Sequence, residues 1–201
     1  MSSNLEIVNS ALVSLGESKI TSFLEDSDKA DTCRLKYADL VGRVLSMYSW
    51  RFNTKKRQLA QETATPTNEW TYQYALPTDR VAPPHAVFNS TSAGVVPFQD
   101  WEIFEDKLFT DATVIVVDYR YKASEGNWPP YFVAFVVDAL AAALCMPITE
   151  KADLARHLHE VAWGTPSEGM RGGAFAIAAQ IDAAGNVGDV IEDFSLIRAR
   201  Y

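Results

Sequence analysis

The stretch PYFVAFVVDALAAALCMPI, Pro130 to Ile148, restricts the folds open to this chain more than any other. A helix that is apolar on all sides either crosses a bilayer or lies at the centre of a protein core. A bilayer span calls for about 20 apolar residues with charged anchors at its ends. This run is slightly short, carries Asp138 near its middle and meets Pro147 at its end, with no Lys or Arg anchor on its left side. It therefore reads as the central helix of a soluble core rather than a membrane span. Pro129 or Pro130 falls in its first turn, and Asp138 is expected on its less buried edge.

A central helix needs flanking elements. Residues 4–16 read as a first helix, capped by Asn4 and ended by Gly16, with Leu5, Val8, Leu12 and Leu15 on one stripe. A second runs from about Asp28 to Ser49, capped by Asp28 or Ser27. Leu35, Ala38, Val41, Leu45 and Tyr48 form one face, widened by Cys33, Tyr37, Leu40, Val44 and Met47. Residues 149–163 predict a fourth helix with Thr149 as N-cap and Leu154, Leu158 and Val161 as its apolar stripe.

Between the second helix and the central one the period changes. Trp50, Phe52 and a basic cluster read as a turn into an extended segment. WTYQYALP alternates with period two: Trp70, Tyr72 and Tyr74 face one way, Thr71, Gln73 and Ala75 the other, and Pro77 stops the strand. HAVFNS, VVPFQ, WEIFE, KLFT and residues 113–121 are further strand candidates, parted by turn residues. The expected fold class is α+β: a helical bundle of about four helices, residues 1–65 and 123–184, with an inserted small antiparallel β module, residues 66–122. An extended C-terminal arm, residues 185–201, completes it. Residues 174–184 are rich in alanine and read as helical on assembly. Trp50, Phe52, Tyr72, Tyr74 and Trp128 are expected as core at the helix–sheet junction.

Hydrophobic residues make up 48% of the 201, enough for a packed core. The net charge of −8 disfavours phosphate binding and so sequence-specific nucleic-acid recognition. The N-terminus has Glu6 early, no basic leader and no unbroken apolar run. No signal peptide is read there, and synthesis in a cytoplasm is expected. Cys33 and Cys145 read as small buried hydrophobes in a reducing compartment.

No catalytic constellation emerges. His157 and His159 are two residues apart, so on a helix they point to different sides and cannot share a metal; His85 stands alone. There is no phosphate-binding glycine loop, nucleophile elbow or zinc-protease motif. The acidic run Glu25 to Asp31 reads as a loop and helix N-terminus, and Lys55, Lys56 and Arg57 as a solvated face. No enzyme activity, cofactor or metal is expected. What a monomeric enzyme would not need is the arm, whose Phe194, Leu196, Ile197 and Tyr201 are too apolar to leave uncovered.

The order of short motifs is more informative than any one of them. A helix ending in SLGE precedes a charged loop and a long helix. Then come W-R-F (Trp50, Arg51, Phe52), Y-x-L-P-x-D (Tyr74, Leu76, Pro77, Asp79) and a β segment closing on Y-R-Y. W-P-P-x-F (Trp128, Pro129, Pro130, Phe132) opens the alanine-rich helix, and a charged helix and loose tail follow. Across nearly the whole chain this order resembles the head-to-tail adaptors of tailed bacteriophages, the tail tubular protein A-like family.

The resemblance implies a structural virion protein at the head–tail junction, made in the host cytoplasm. It implies a homo-oligomeric, twelve-fold ring beneath the portal protein that docks a tail nozzle or tail-tube protein. DNA passes through the lumen without sequence-specific binding. The arm is then expected to bind the portal or a neighbouring subunit through Asp193, Phe194, Leu196, Ile197, Arg198, Arg200 and Tyr201. A second reading from the residues is a small cytoplasmic enzyme or ligand-binding protein whose β pocket is lined by Trp70, Tyr72, Tyr74, Trp101 and Tyr119.

Overall fold

The computed structural model describes residues 3–92, 95–169 and 172–185. The chain is mixed α+β, with five helices and two antiparallel three-stranded sheets among the described residues. The arm residues Asp193, Phe194, Leu196, Ile197, Arg198, Arg200 and Tyr201 lie outside the described residues.

Helix α1 spans Asn4–Ser14. Its cap is Ser3, one residue before the expected Asn4. The Ser3 hydroxyl accepts from the Glu6 N–H while the Glu6 carboxylate accepts from the Ser3 N–H, so the two satisfy each other. Gly16 stops it as expected: at φ 76 it lets the Glu17 N–H reach the Leu12 carbonyl at 2.9 Å and its own N–H reach Val13 at 3.0 Å. Helix α2, Asp28–Met47, is capped by Ser27, whose side chain accepts from the Ala30 N–H. Its buried face is Cys33, Tyr37, Leu40, Val41, Val44 and Leu45. Leu35 and Met47 are exposed, so the apolar arc is narrower than the sequence suggested and turned toward Cys33.

Helix α3, Pro130–Thr149, is the central element. Pro130 holds its first position, where no N–H is needed. The helix runs through Pro147 for two further residues and ends at Glu150, which is left-handed at φ 57. By length and composition it is apolar enough to cross a membrane. In this chain it packs against α1, α2, α4 (Ala152–Trp163) and α5 (Gly173–Ala184). Phe132, Phe135, Val136, Leu140, Leu144 and Cys145 are buried there.

Helix α4 starts three residues later than expected because α3 claims Thr149. The Thr149 hydroxyl donates to the Cys145 carbonyl at 2.7 Å, so it serves the end of one helix rather than the start of the next. Helix α5 already packs within the single chain: Phe175, Ala178 and Asp182 are buried against the body.

The strands are β1 (Thr54–Gln58), β2 (Tyr72–Ala75), β3 (Ala86–Phe88), β4 (Trp101–Phe104), β5 (Lys107–Thr110) and β6 (Val116–Arg120). One sheet has the order β1-β6-β3 and the other β2-β5-β4. The first sheet therefore draws a strand from ahead of residue 66, where the sequence suggested the β module begins. VVPFQ forms no strand; only the Phe98 N–H reaches across, to the Val87 carbonyl at 2.7 Å. Pro97 has no N–H to give to a ladder. Side chains from both sheets, Tyr74 and Leu108 with Val87, Val117 and Tyr119, meet in a second core separate from that of the helices.

Candidate assembly surfaces

The five junction residues divide between the two cores. Trp50, Phe52 and Trp128 pack with the helices, whereas Tyr72 and Tyr74 belong to the β core. The first three converge on Phe132, with ring centroids 4.9 Å from Trp50, 4.6 Å from Phe52 and 5.0 Å from Trp128. The buried indoles are satisfied internally. Trp50 Nε1 donates to the Val44 carbonyl at 3.0 Å and Trp128 Nε1 to Ala123 at 3.1 Å.

What joins the two cores is the end of β6, which sequence reasoning did not single out. Tyr121 packs against both. Its N–H donates to the Asn53 carbonyl at 2.8 Å and its hydroxyl to the Phe52 carbonyl at 3.2 Å. Asn53 donates to Leu45 at 2.9 Å, and the Arg120 guanidinium donates to the Ser46 carbonyl. The closing Y-R-Y, Tyr119 to Tyr121, was the available signal: it puts a bulky polar side chain at the exit of the strand, next to the turn where the helical body begins.

Four of the five aromatics of the proposed β pocket, Trp70, Tyr74, Trp101 and Tyr119, spend their polar atoms on the fold. The Tyr74 hydroxyl donates to Ala112 at 2.7 Å and that of Tyr119 to Asp79 at 3.0 Å. Trp101 Nε1 donates to Phe98 at 2.9 Å and Trp70 Nε1 to Glu102 at 3.3 Å. Burial and the Asp79 carboxylate hold the Tyr119 phenol above its ordinary pKa, so it stays a donor. A neutral phenol tied to a carboxylate is a structural link. His85, His157 and His159 are exposed, and no group of His, Cys, Asp or Glu among the described residues is arranged to hold a metal ion.

Two surface features remain unexplained by folding. The outer face of α5 keeps Ile177 and Ile181 exposed one helical turn apart, at 61% and 49%. The second is Asp138, half-buried on α3 as the sequence suggested. It makes no hydrogen bond among the described residues, and burial raises its pKa. A raised pKa in the folded state means that the charge costs stability above that value, and that the cost fades as pH falls through it. Asp138→Leu is therefore expected to raise the melting temperature at pH 7, with a gain that shrinks in acid. Thermal melts across pH test this; a fall in melting temperature at pH 7 would mean that Asp138 has a favourable partner within the chain.

No protein-family model matches the chain, and no curated protein matches it either.

Proposed function

We propose that this chain is a structural, non-enzymatic virion protein: a head-to-tail adaptor of a tailed bacteriophage, similar to the tail tubular protein A-like family. Twelve copies form a ring under the portal protein, extend the DNA channel and present a platform to a tail nozzle or tail-tube protein. The helices act as a bundled body, the β module projects from it, and residues 185–201 act as the arm. The observation that carries the reading is the meeting of its two most distinctive motifs. W-R-F and W-P-P-x-F are far apart in sequence, yet both close on Phe132. That gives the motif order a physical basis: the turn leaving α2 and the turn entering α3 form one aromatic cluster in the core of the helices.

Further support comes from Ile177 and Ile181, which leave the helix preceding the arm apolar on its outer side. A ring subunit has a use for such a face, because a heterologous interface that closes by rotation needs unlike patches on each copy. The acidic balance of the chain suits a lumen that must release DNA. Mixing the full chain with the portal protein of the same phage is expected to give rings visible by negative stain. The variant carrying Phe194→Ser, Leu196→Ser and Ile197→Ser should stay folded and fail to join. If the unaltered chain gives no complex with portal, the adaptor reading falls; if the serine variant still joins, the arm is not the anchor.

A further inference from the structure

We infer that the outer face of the β2-β5-β4 sheet carries a binding groove for a neutral sugar. The inference starts from register. Gln73 stands opposite Phe109, which in turn faces Glu102; Ala75 stands opposite Lys107, which in turn faces Phe104. Paired residues share a face, so these six point away from Tyr72, Tyr74, Trp101, Ile103 and Leu108, which pack in the β core. The sheet therefore has a second face that the β core does not use.

The segment between β1 and β2 is pinned to that face at two places. At the first, the Glu62 N–H meets the Gln73 carbonyl at 2.9 Å. The Glu62 carboxylate also accepts from Gln73 Nε2 at 2.9 Å and from Lys107 Nζ at 2.8 Å. At the second, Trp70 Nε1 donates to Glu102. Between these anchors Thr65, Thr67 and Asn68 line one groove with Phe104 and Phe109. Its volume is about 520 Å³, within the span of small-molecule sites, about 300–1,000 Å³.

The lining selects the ligand. Its aromatic part is a pair of rings 5.7 Å apart, tilted by 58°. Phe109 is tucked in at 8% exposure, whereas Phe104 keeps 48%. A half-exposed ring beside a groove can take the C–H face of a sugar. The rest is neutral and hydrogen-bonding. Asn68 Oδ1 accepts from the Trp70 N–H at 3.3 Å, which leaves its Nδ2 to donate. Gln73, 5% exposed, is held through Nε2, which leaves its side-chain oxygen to accept. The Thr65 and Thr67 hydroxyls do both, and neither is bonded elsewhere among the described residues. Neighbouring sugar hydroxyls call for that mixture of donors and acceptors.

Charge disfavours an ionic ligand. The Lys107 ammonium is neutralised by Glu62, and the charge left at the rim is the Glu105 carboxylate, in a chain of net charge −8. A phosphate or carboxylate would be repelled there. A cation is no better served, because Lys107 lines the same groove. The groove belongs to the free chain and does not depend on the adaptor reading.

Residue-resolved NMR of the full-length chain, without portal, tests it. The probes are the methyl glycosides of glucose, galactose, mannose and N-acetylglucosamine, titrated well past a Kd on the order of 1 mM, the strength expected of a few such contacts. At least one should shift the Asn68 and Gln73 side-chain amides in a saturable way and leave Val117 and Tyr119, in the other sheet, in place. Phe104→Ala should weaken that binding at least about ten-fold, with unmoved Val117 and Tyr119 signals showing that the fold is kept. Glucose 6-phosphate, the anionic comparator, should bind more weakly than the neutral sugar. No saturable shift at Asn68 and Gln73 with any of the four would overturn the inference. So would binding that Phe104→Ala leaves unaltered, or glucose 6-phosphate binding as tightly, which would make the groove an anion site.

Discussion

Phe132→Ala should cost the chain about 3–5 kcal/mol, the range for deleting a large aromatic from a packed core. For a chain of this size that lowers the melting temperature by roughly 6–20 °C. The ring is fully buried and is the shared neighbour of Trp50, Phe52, Trp128 and Phe135. Removing it opens space where the exit of α2, the short helical turn Arg51–Asn53 and the entry to α3 meet. Trp50 is pinned by its bond to Val44 and Trp128 by its bond to Ala123, so neither indole can slide in to fill the gap without losing a buried hydrogen bond. The site should collapse poorly, which places the cost toward the upper end. Phe52→Ala is the control: Phe52 is only half-buried and should cost less. Denaturant melts with near-ultraviolet circular dichroism read both stability and tryptophan packing. A cost below about 1 kcal/mol for Phe132→Ala would mean that the ring is not a tightly packed centre of the helical core.

Physical reasons separate what could be read from the sequence from what could not. The central helix was legible because nothing else can be done with so apolar a run that is interrupted by Asp138 and entered through two prolines. Gly16 was legible because a glycine just past the last periodic residue is a common left-handed helix stop. The buried face of α2 was half legible. Leu35, Ala38, Val41 and Leu45 recur at spacings of three and four, as do Cys33, Tyr37, Leu40 and Val44, and periodicity cannot say which of these positions meet the core. β1 was legible only as an extended segment following the turn at Trp50 and Phe52: an edge strand with charge on both faces has no alternation to mark its pairing. Thr149 was misassigned because an N-cap and a residue donating to its own preceding turn share the same chemistry.

Among the junction residues, alternation grouped Tyr72 with Tyr74 correctly, but their place in the β core depends on β2 pairing with β5, a long-range fact. The cluster at Phe132 depends equally on contacts between remote turns. Tyr121 escaped notice because its role comes from position at the end of a strand, which no local pattern encodes. Asp182 is the clearest omission. A single acid in GAFAIAAQIDAA should have raised the question of why a helix so poor in charge keeps one, and the structure answers that it is buried.

That burial makes Asp182→Ala the second large effect, about 2–3 kcal/mol from stranding two part-buried donors that its carboxylate had satisfied. The Asp182 carboxylate takes the Arg51 N–H at 3.1 Å and the Tyr131 hydroxyl at 2.5 Å. Burial and this bond keep the Tyr131 phenol protonated far above its ordinary pKa, so it remains a donor throughout the usable pH range. One side chain thereby ties α5 to the turn leaving α2 and to the first turn of α3. The rest of α5 holds on through small contacts, chiefly Phe175 against Trp163 and Trp50 and the Tyr48 hydroxyl on Ala179 at 3.4 Å. Without the carboxylate, α5 should open before the remainder of the body does. Limited proteolysis is then expected to cut the variant between Gly164 and Gly172 under conditions that leave the unaltered chain intact. A double-mutant cycle with Tyr131→Phe separates a link from mere packing. The two substitutions should fall short of additivity by about 1–2 kcal/mol, because each removes the same bond. Additive costs together with unchanged proteolysis would mean that Asp182 does not hold α5, and that the helix stays in place on its apolar contacts alone.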